Sequence, residues 1–230
     1  MPGYLTKQED IRIAGAASLQ ICSLLDREQF ADPLGEAAAL GISSAAWPLF
    51  GLVWPSGLQL AANMAARPLV PRQRILEIGC GLALASLVCH RRGADVTASD
   101  CHPLARRFLL RNTALNDLPP LRYRHGHWGV AGTTLTTDAP LDMTPVHGRY
   151  DLIIGSDVLY ERDELGHLAR FIDRHALPSA EVLIVDPNRG NRSAFNRRMA
   201  GAGFALHDML LSEPLADGRA YRGRLLSYRR

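Results

Sequence analysis

Residues Arg74 to Ala83 read RILEIGCGLA, an apolar run that meets a carboxylate and then a glycine turn. Ile75, Leu76 and Ile78 are side chains of a strand covered on both faces, because a strand inside a parallel sheet loses the polar alternation of a surface strand. Gly79 and Gly81 admit backbone angles closed to other residues and leave room for a ligand against the main chain. A helix is predicted from Leu82, which places Gly81 beside its positive end, where backbone N–H groups point outward.

Two ligand classes use a strand, a glycine turn and a helix in this order. The dinucleotide fingerprint GxGxxG, counted from Gly79, ends on Leu84, a bulky residue where the helix must pack closely on the strand. The ExGxGxG pattern of methyltransferases that use S-adenosylmethionine is met at Glu77, Gly79 and Gly81, with Ala83 in the last place. A second anchor follows about 20 residues later, where the β-rich run Ala94 to Ser99 ends in Asp100. A carboxylate at the end of the second strand of a strand-helix-strand unit is placed to accept hydrogen bonds from both hydroxyls of an adenosine ribose.

The 230 residues suffice for one large core, and 47% hydrophobic with 21% charged residues is an ordinary globular balance. A net charge of +3 is too small to imply a nucleic-acid partner, so the basic clusters Arg106 to Arg111, Arg189 to Arg198 and Arg219 to Arg230 are read as solvated faces. The start MPGYLTKQED lacks a basic-then-apolar leader, and no uncharged apolar run reaches the roughly 18 residues of a membrane span. A cytoplasmic protein with no membrane contact is expected. Cys22, Cys80, Cys89 and Cys101 form no CxxC pair, which fits reduced thiols. Cys101, His102, His125 and His127 match no zinc spacing, and no metal is expected.

Along the chain, the apolar runs Ile11 to Ile13 and Leu19 to Leu25 suggest a hairpin. Residues 26 to 57, rich in Gly, Pro and Ala, read as an ordered non-helical cover in which prolines hold Trp47 and Trp54 extended. Trp47 is assigned to the core and Trp54, just before a helix from Gly57 to Ala66, to the cofactor. After Asp100 come a helix from Pro103 to Asn116, a third strand from Leu121 to Arg124, and Trp128, which either borders an adenine ring or plugs the core. Val130 to Gly148 is read as a loop at the edge of the site. A strand from Tyr150 to Gly155 opens into SDVLYERDEL, where Asp157 and Tyr160 stand three apart at a strand end that a parallel sheet delivers to its ligand crevice. They are a catalytic pair, or else a helix-capping Asp and a packed Tyr. A helix from Asp163 to His175, a strand from Glu181 to Val185 ending in DPNRG, and a helix from Asn191 to Ala202 follow. The runs Phe204 to Leu211 and Tyr221 to Tyr228, joined around Asp217 and Gly218, read as a closing antiparallel hairpin. Such alternation specifies an α/β fold, a parallel sheet with helices on both faces.

These residues resemble the class I, seven-β-strand methyltransferases. Within that class they are similar to the protein lysine methyltransferases that include the enzymes acting on electron-transfer flavoprotein beta subunit. The likeness runs from VWPSG at Val53 to Gly57, through LEIGCG and Asp100, to GSDVLYERDEL and VLIVDPNRG. DVLY resembles the family's DxxY motif, and DPNR its DPGR, with Asn188 in place of glycine. His127 stands where the family carries an acidic residue before the tryptophan matched by Trp128. The resemblance implies a Rossmann-like sheet ordered 3-2-1-4-5-7-6 with strand 7 antiparallel, and an N-terminal extension and cover over residues 1–56 before a catalytic domain over 57–230. It implies S-adenosyl-L-methionine held by Trp54, Glu77, Gly79, Gly81, Asp100, Trp128 and Ser156, with Asp157 and Tyr160 at the acceptor. The acceptor it implies is a lysine of another protein; the oligomeric state stays open, with a monomer favoured. A small-molecule N-methyltransferase with a nicotinamide-like acceptor and a non-catalytic cofactor-binding scaffold stay open as alternatives.

Overall fold

Ile75 and Leu76 point to opposite faces of one strand, and each face has its own core. The computed structural model describes residues 3–129, 144–160 and 163–230. Its elements are β1 (Thr6–Ile11), β2 (Leu19–Leu24), α1 (Glu36–Ala39), α2 (Pro55–Ala66), β3 (Arg74–Ile78), α3 (Leu84–Arg91), β4 (Asp95–Asp100), α4 (Ala105–Leu115) and β5 (Arg122–His125). They continue with β6 (Tyr150–Ser156), α5 (His167–His175), β7 (Ala176–Asp186), α6 (Arg192–Gly201), β8 (Ala205–Leu211) and β9 (Gly223–Arg229). On one face, Ile75, Val96, Leu152 and Leu183 pack under α2, α3 and α4; on the other, Leu76, Ile153, Val182 and Leu226 pack under α5 and α6. Burying a side chain of this size contributes roughly 1.5–3 kcal/mol, which is why Leu152 to Ile154 of β6 and Val182 to Val185 of β7 run apolar without a break.

The main sheet runs β5-β4-β3-β6-β7-β9-β8. Strands β3 to β7 are parallel, and β9 pairs antiparallel with both β7 and β8. Renumbered within the sheet, this is the expected order 3-2-1-4-5-7-6 with the seventh strand reversed. The chain leaves β3 toward β4 on one side and returns to β6 on the other. The carboxyl ends of β3 and β6 therefore flank a crevice at the point where the strand order reverses.

Several boundaries differ from the sequence reading, each for a local reason. The cover is not free of helix: it holds the short α1 and a 3₁₀ turn, Trp47–Gly51, which Pro48 permits because the first helical turn needs no N–H there. Helix α3 starts at Leu84 and not Leu82, because Ala83 takes a left-handed backbone with φ 59°. For an L-residue that conformation costs about 1–2 kcal/mol, whereas a glycine there would forfeit a buried methyl of about 0.8 kcal/mol and add chain entropy to the unfolded state. The two nearly cancel, so Ala83 is tolerated where the motif has glycine. Helix α5 starts at His167 and not Asp163, because Asp163 stays outside it and accepts the N–H groups of His167 and Leu168 at 2.8 and 2.9 Å. Strand β7 begins earlier than Glu181, at Ala176, across a register shift opposite Tyr150 and Leu152. Of the loop read over Val130 to Gly148, positions 130–143 lie outside the described residues.

The N-terminal hairpin exists, but its first strand precedes the apolar run Ile11 to Ile13 and is mostly exposed. Its second strand is sealed by two asparagines one turn apart, Asn112 on α4 and Asn116 just past its end. Asn112 accepts the Cys22 N–H at 2.8 Å and donates to the Cys22 carbonyl at 3.3 Å. Asn116 does the same for Gln20 at 3.0 and 2.8 Å. Asn112 is fully buried, so its removal strands two backbone groups that water cannot reach. Asn112→Ala is expected to lower the unfolding free energy by about 1–3 kcal/mol, read as a shifted urea midpoint with unchanged slope.

Candidate functional site

The glycine turn after β3 is built from left-handed residues. Gly79, Gly81 and Ala83 have φ of 56°, 51° and 59°. The turn is stitched to the end of β4: Cys80 N–H donates to the Ser99 carbonyl at 2.9 Å, and Gly81 N–H donates to Asp100 Oδ2 at 2.8 Å. The other Asp100 oxygen accepts the His102 N–H at 2.9 Å. Glu77 points toward α3, where Oε2 accepts the Ser86 N–H at 2.8 Å. The requirement for glycine at 81 has two sources. A Cβ there would stand 2.8 Å from the Phe50 carbonyl oxygen, so the space that sequence logic assigns to a ligand is shared with the protein's own cover.

That cover is seated by aromatic contacts. The Phe50 ring stacks on His102 with centroids 3.7 Å apart and planes 13° from parallel, and Trp47 meets both rings edge-on. Burial pushes the His102 pKa down to about 3, so the imidazole is neutral. Its Nδ1 accepts the Leu104 N–H, which leaves Nε2 as a buried donor without a partner among the described residues. Trp47 is core, as the sequence reading has it, at 1% exposure. Trp54 is anchored by its indole N–H to the Leu49 carbonyl at 2.8 Å.

One cavity of about 1050 Å³ brings the predicted residues together: Trp54, Glu77, Gly79, Gly81, Asp100, Trp128, Ser156, Asp157 and Tyr160 all line it. The glycine turn, Asp100, His102, His127 and Trp128 line it together with Asp157, Tyr160, Asp163, His167 and Arg189. A Cβ on Gly79 would come within 3.0 Å of Val158 and 3.4 Å of Trp128, so the turn is closely walled on that side. Tyr160 stands at the rim, 45% exposed.

Asp157 has a left-handed backbone, φ 54°, a conformation that Asp adopts more readily than most residues. It does not cap a helix, the role Asp163 fills. Its two carboxylate oxygens instead accept Arg189 Nε at 2.9 Å and Nη2 at 3.1 Å. Phe50, His102, Val158 and Arg189 were not singled out from sequence as site residues. Arg189 and Val158 left a trace as members of DPNR and DVLY, His102 only as a member of a Cys/His set that matches no zinc spacing, and Phe50 none.

The residues fit an adenosine-bearing cofactor. The Asp100 carboxylate lines the cavity at the strand end, held there by the backbone N–H groups of Gly81 on one oxygen and His102 on the other. Trp128 Nε1, His127 Nδ1 and His102 Nε2 are buried polar atoms on the same wall with no partner among the described residues. Cys80 gives no sign of reactivity, since burial and then the Asp100 charge push its thiol well up. Among the described residues no group of His, Cys, Asp and Glu is arranged to hold a metal ion.

A family model described as Lysine methyltransferase matches residues 50–200. The chain is 32% identical over 112 residues to Protein N-lysine methyltransferase METTL21A of Danio rerio, covering 49% of this chain and 48% of that protein. It is 30% identical over 115 residues to Histone-arginine methyltransferase METTL23 of Rattus norvegicus, covering 49% and 47%. The chain spans about half the length of the curated relatives it matches. Among solved structures it resembles ribosomal protein L11 methylase from Lactobacillus delbrueckii subsp. bulgaricus, with TM-score 0.54, 21% identity and 78% and 80% of the two chains covered. It also resembles magnesium protoporphyrin IX methyltransferase from Synechocystis PCC 6803 with bound SAM, with TM-score 0.55, 16% identity and 76% and 77% covered. At such identities the likeness is one of fold.

Glu77 carries the clearest electrostatic signature of the cavity floor. Burial, opposed by the Ser86 N–H and reinforced by Asp100, raises its pKa from 4.5 to about 7. The folded state thus holds this proton more tightly than the unfolded chain does. The resulting stabilisation is fully present below about pH 4.5 and is lost as the pH rises through about 7. Glu77→Gln keeps the Ser86 hydrogen bond and never ionises. Relative to wild type it is expected to gain on the order of 2–3 kcal/mol between about pH 5 and pH 8, read from urea unfolding at both pH values.

Proposed function

Because the chain belongs to the lysine methyltransferase family, whose model covers residues 50–200, we propose that it transfers a methyl group from S-adenosylmethionine to a lysine side chain of another protein. The observation that carries this reading is the cavity itself, in which the acid and hydroxyl of the DxxY motif, Asp157 and Tyr160, share one space with the glycine turn and Asp100. The donor supplies a methyl already activated by its sulfonium, so the chain's work is alignment and desolvation. Gly79 and Gly81 give the donor access to the main chain, Asp100 takes its ribose hydroxyls, and Trp54, Trp128 and Ser156 wall it. Glu77 supports the turn from behind through Ser86.

A lysine acceptor must first lose a proton, since its ordinary pKa is about 10.4 and the ammonium has no lone pair. In this reading Asp157 orients the amine while its proton leaves to water, and Tyr160 adds a hydroxyl and a wall at the rim. The segment 1–56 acts as the cover through Phe50 and Trp54, and the enzyme works as a monomer in the cytoplasm. The four free cysteines fit a reducing compartment. No helix among the described residues is long and apolar enough to cross a membrane.

A second acceptor is favoured by one observation: Asp157 already holds a guanidinium, that of Arg189, and one relative is named a histone-arginine methyltransferase. Labelled donor with extract from cells lacking the gene, followed by mass spectrometry, separates the readings. Label on protein lysine is expected. Label on arginine moves the acceptor, label only on small molecules points to a nicotinamide-like substrate, and no label favours a scaffold.

Asp157→Asn preserves shape and the left-handed backbone, to which Asn is suited, while removing the charge. It is expected to keep the fold, to lower the melting temperature by weakening the Arg189 fork, and to lower turnover by roughly 10²-fold or more. Wild-type turnover in that variant would remove Asp157 from the mechanism.

A further inference from the structure

The turn after β7 exists to place one side chain. Asp186, at the end of the strand and fully buried, accepts the Arg189 N–H at 3.0 Å. Asn188 takes the left-handed backbone, φ 64°, at the position where the resembled motif has glycine. The chain thereby folds back over the end of β6, and the guanidinium grips Asp157 through two parallel hydrogen bonds, Nε to Oδ1 at 2.9 Å and Nη2 to Oδ2 at 3.1 Å. Such a fork fixes orientation as well as charge, and a guanidinium does not give up its proton in proteins.

We propose that Arg189 is a positioning residue that cancels the charge of Asp157, so that the carboxylate receives the acceptor amine as a hydrogen-bond partner without holding it protonated. The proposal rests on the amine-acceptor reading above. A bare carboxylate within about 4–6 Å of an amine favours the ammonium by about 1–3 pKa units, which works against the free lone pair that methyl transfer requires. Each Asp157 oxygen gives one lone pair to Arg189 and retains another, so the acceptor nitrogen still finds an acceptor there.

The other charged groups around the pair do not supply this compensation. On β7, Asp186 adds negative charge and is already engaged by Arg189 and, at 3.9 Å, by Arg192 from α6. Ahead of α5, Asp163 is committed to the helix N–H groups, while Glu164 and His167 line the mouth. Arg198 of α6 lines the cavity too, with Nη2 donating to the Glu164 carbonyl at 2.6 Å. Tyr221, on the approach to β9, is bonded to Ser56 and held un-ionised by burial. Glu77 and Asp100 lie at the donor end, and both are carboxyls. Arg189 is the cation that reaches Asp157 among the described residues.

The field at the transfer point is readable without an acceptor. Sinefungin is the donor analogue in which a carbon bearing a primary amine replaces the methylated sulfur; S-adenosylhomocysteine lacks that amine. The ratio of their affinities, measured by calorimetry from about pH 6 to about pH 10, isolates the amine's own titration in the site. In wild type the preference for sinefungin is expected to rise with pH as the amine loses its proton. In Arg189→Gln the uncompensated carboxylate should raise that preference at neutral pH by about 10-fold or more and reverse its slope with pH. Arg189→Lys, which keeps the charge, should stay within about 3-fold of wild type. Asp157→Asn, which leaves Arg189 uncompensated, should shift the preference by about 10-fold in the opposite direction and keeps the test alive should Arg189→Gln fail to fold. An unchanged ratio and slope in Arg189→Gln, a lysine variant that behaves like the glutamine one, or shifts of the same sign at both positions would overturn the proposal. Its failure is separate from failure of the acceptor reading, which the identity of the labelled product decides.

Discussion

The hydrogen bond from the Gly81 N–H to Asp100 Oδ2, 2.8 Å long, joins the two strand ends on which the glycine-turn wall of the cavity is built. It requires Gly81 in a left-handed conformation and a carboxylate at the last position of the neighbouring strand. The bond from Cys80 N–H to Ser99 beside it, and that from Ser99 Oγ to the Glu77 carbonyl, lock the same junction. A turn held this way presents main-chain edges at a fixed distance from Asp100, because the strands beneath are packed on both faces and cannot slide. The position of Glu77 follows: it lies under the turn in a dry place, and its proton is retained to near neutrality.

The cover closes on that junction by aromatic packing more than by hydrogen bonds. Phe50 presents its ring to His102 and its carbonyl to Gly81, so one residue of the N-terminal segment touches both the glycine turn and the segment after β4. A neutral imidazole stacked on a phenyl ring gains contact area without burying a charge, and it leaves an N–H on the cavity wall. The wall around Asp157 is made differently, from left-handed turns at the ends of β6 and β7 that carry Asp157 and Asn188. Its polar side chains include Tyr160 and Arg189, which are partly exposed.

Sequence made the sheet legible because its signals are short-range. An unbroken apolar run, two glycines and a carboxylate one strand-helix-strand unit later fix strand, turn and neighbour at once. The hairpin at the C-terminus announced itself through Asp217 and Gly218. Boundaries were less legible where one residue departs from its usual backbone: Ala83 delays α3, and Gly166 with Asp163 delays α5. Asn112 on α4 gave no signal, since an Asn inside a helix reads as a weak helix former until the strand it seals is known.

The sequence alone determined the fold class and many of the residues gathered in the cavity, because these follow from spacing along the chain, while the strand order came from the resemblance. What only the tertiary structure decided is which of those residues touch one another. Asp157 and Arg189 lie 32 positions apart, and nothing local in either segment distinguishes a capping aspartate from one gripped by a guanidinium. Phe50 and Gly81 likewise meet only after the cover has folded onto the sheet. Such pairings depend on the direction of a side chain at the end of a strand, and that direction is set by backbone angles and neighbouring elements that pattern and propensity do not encode.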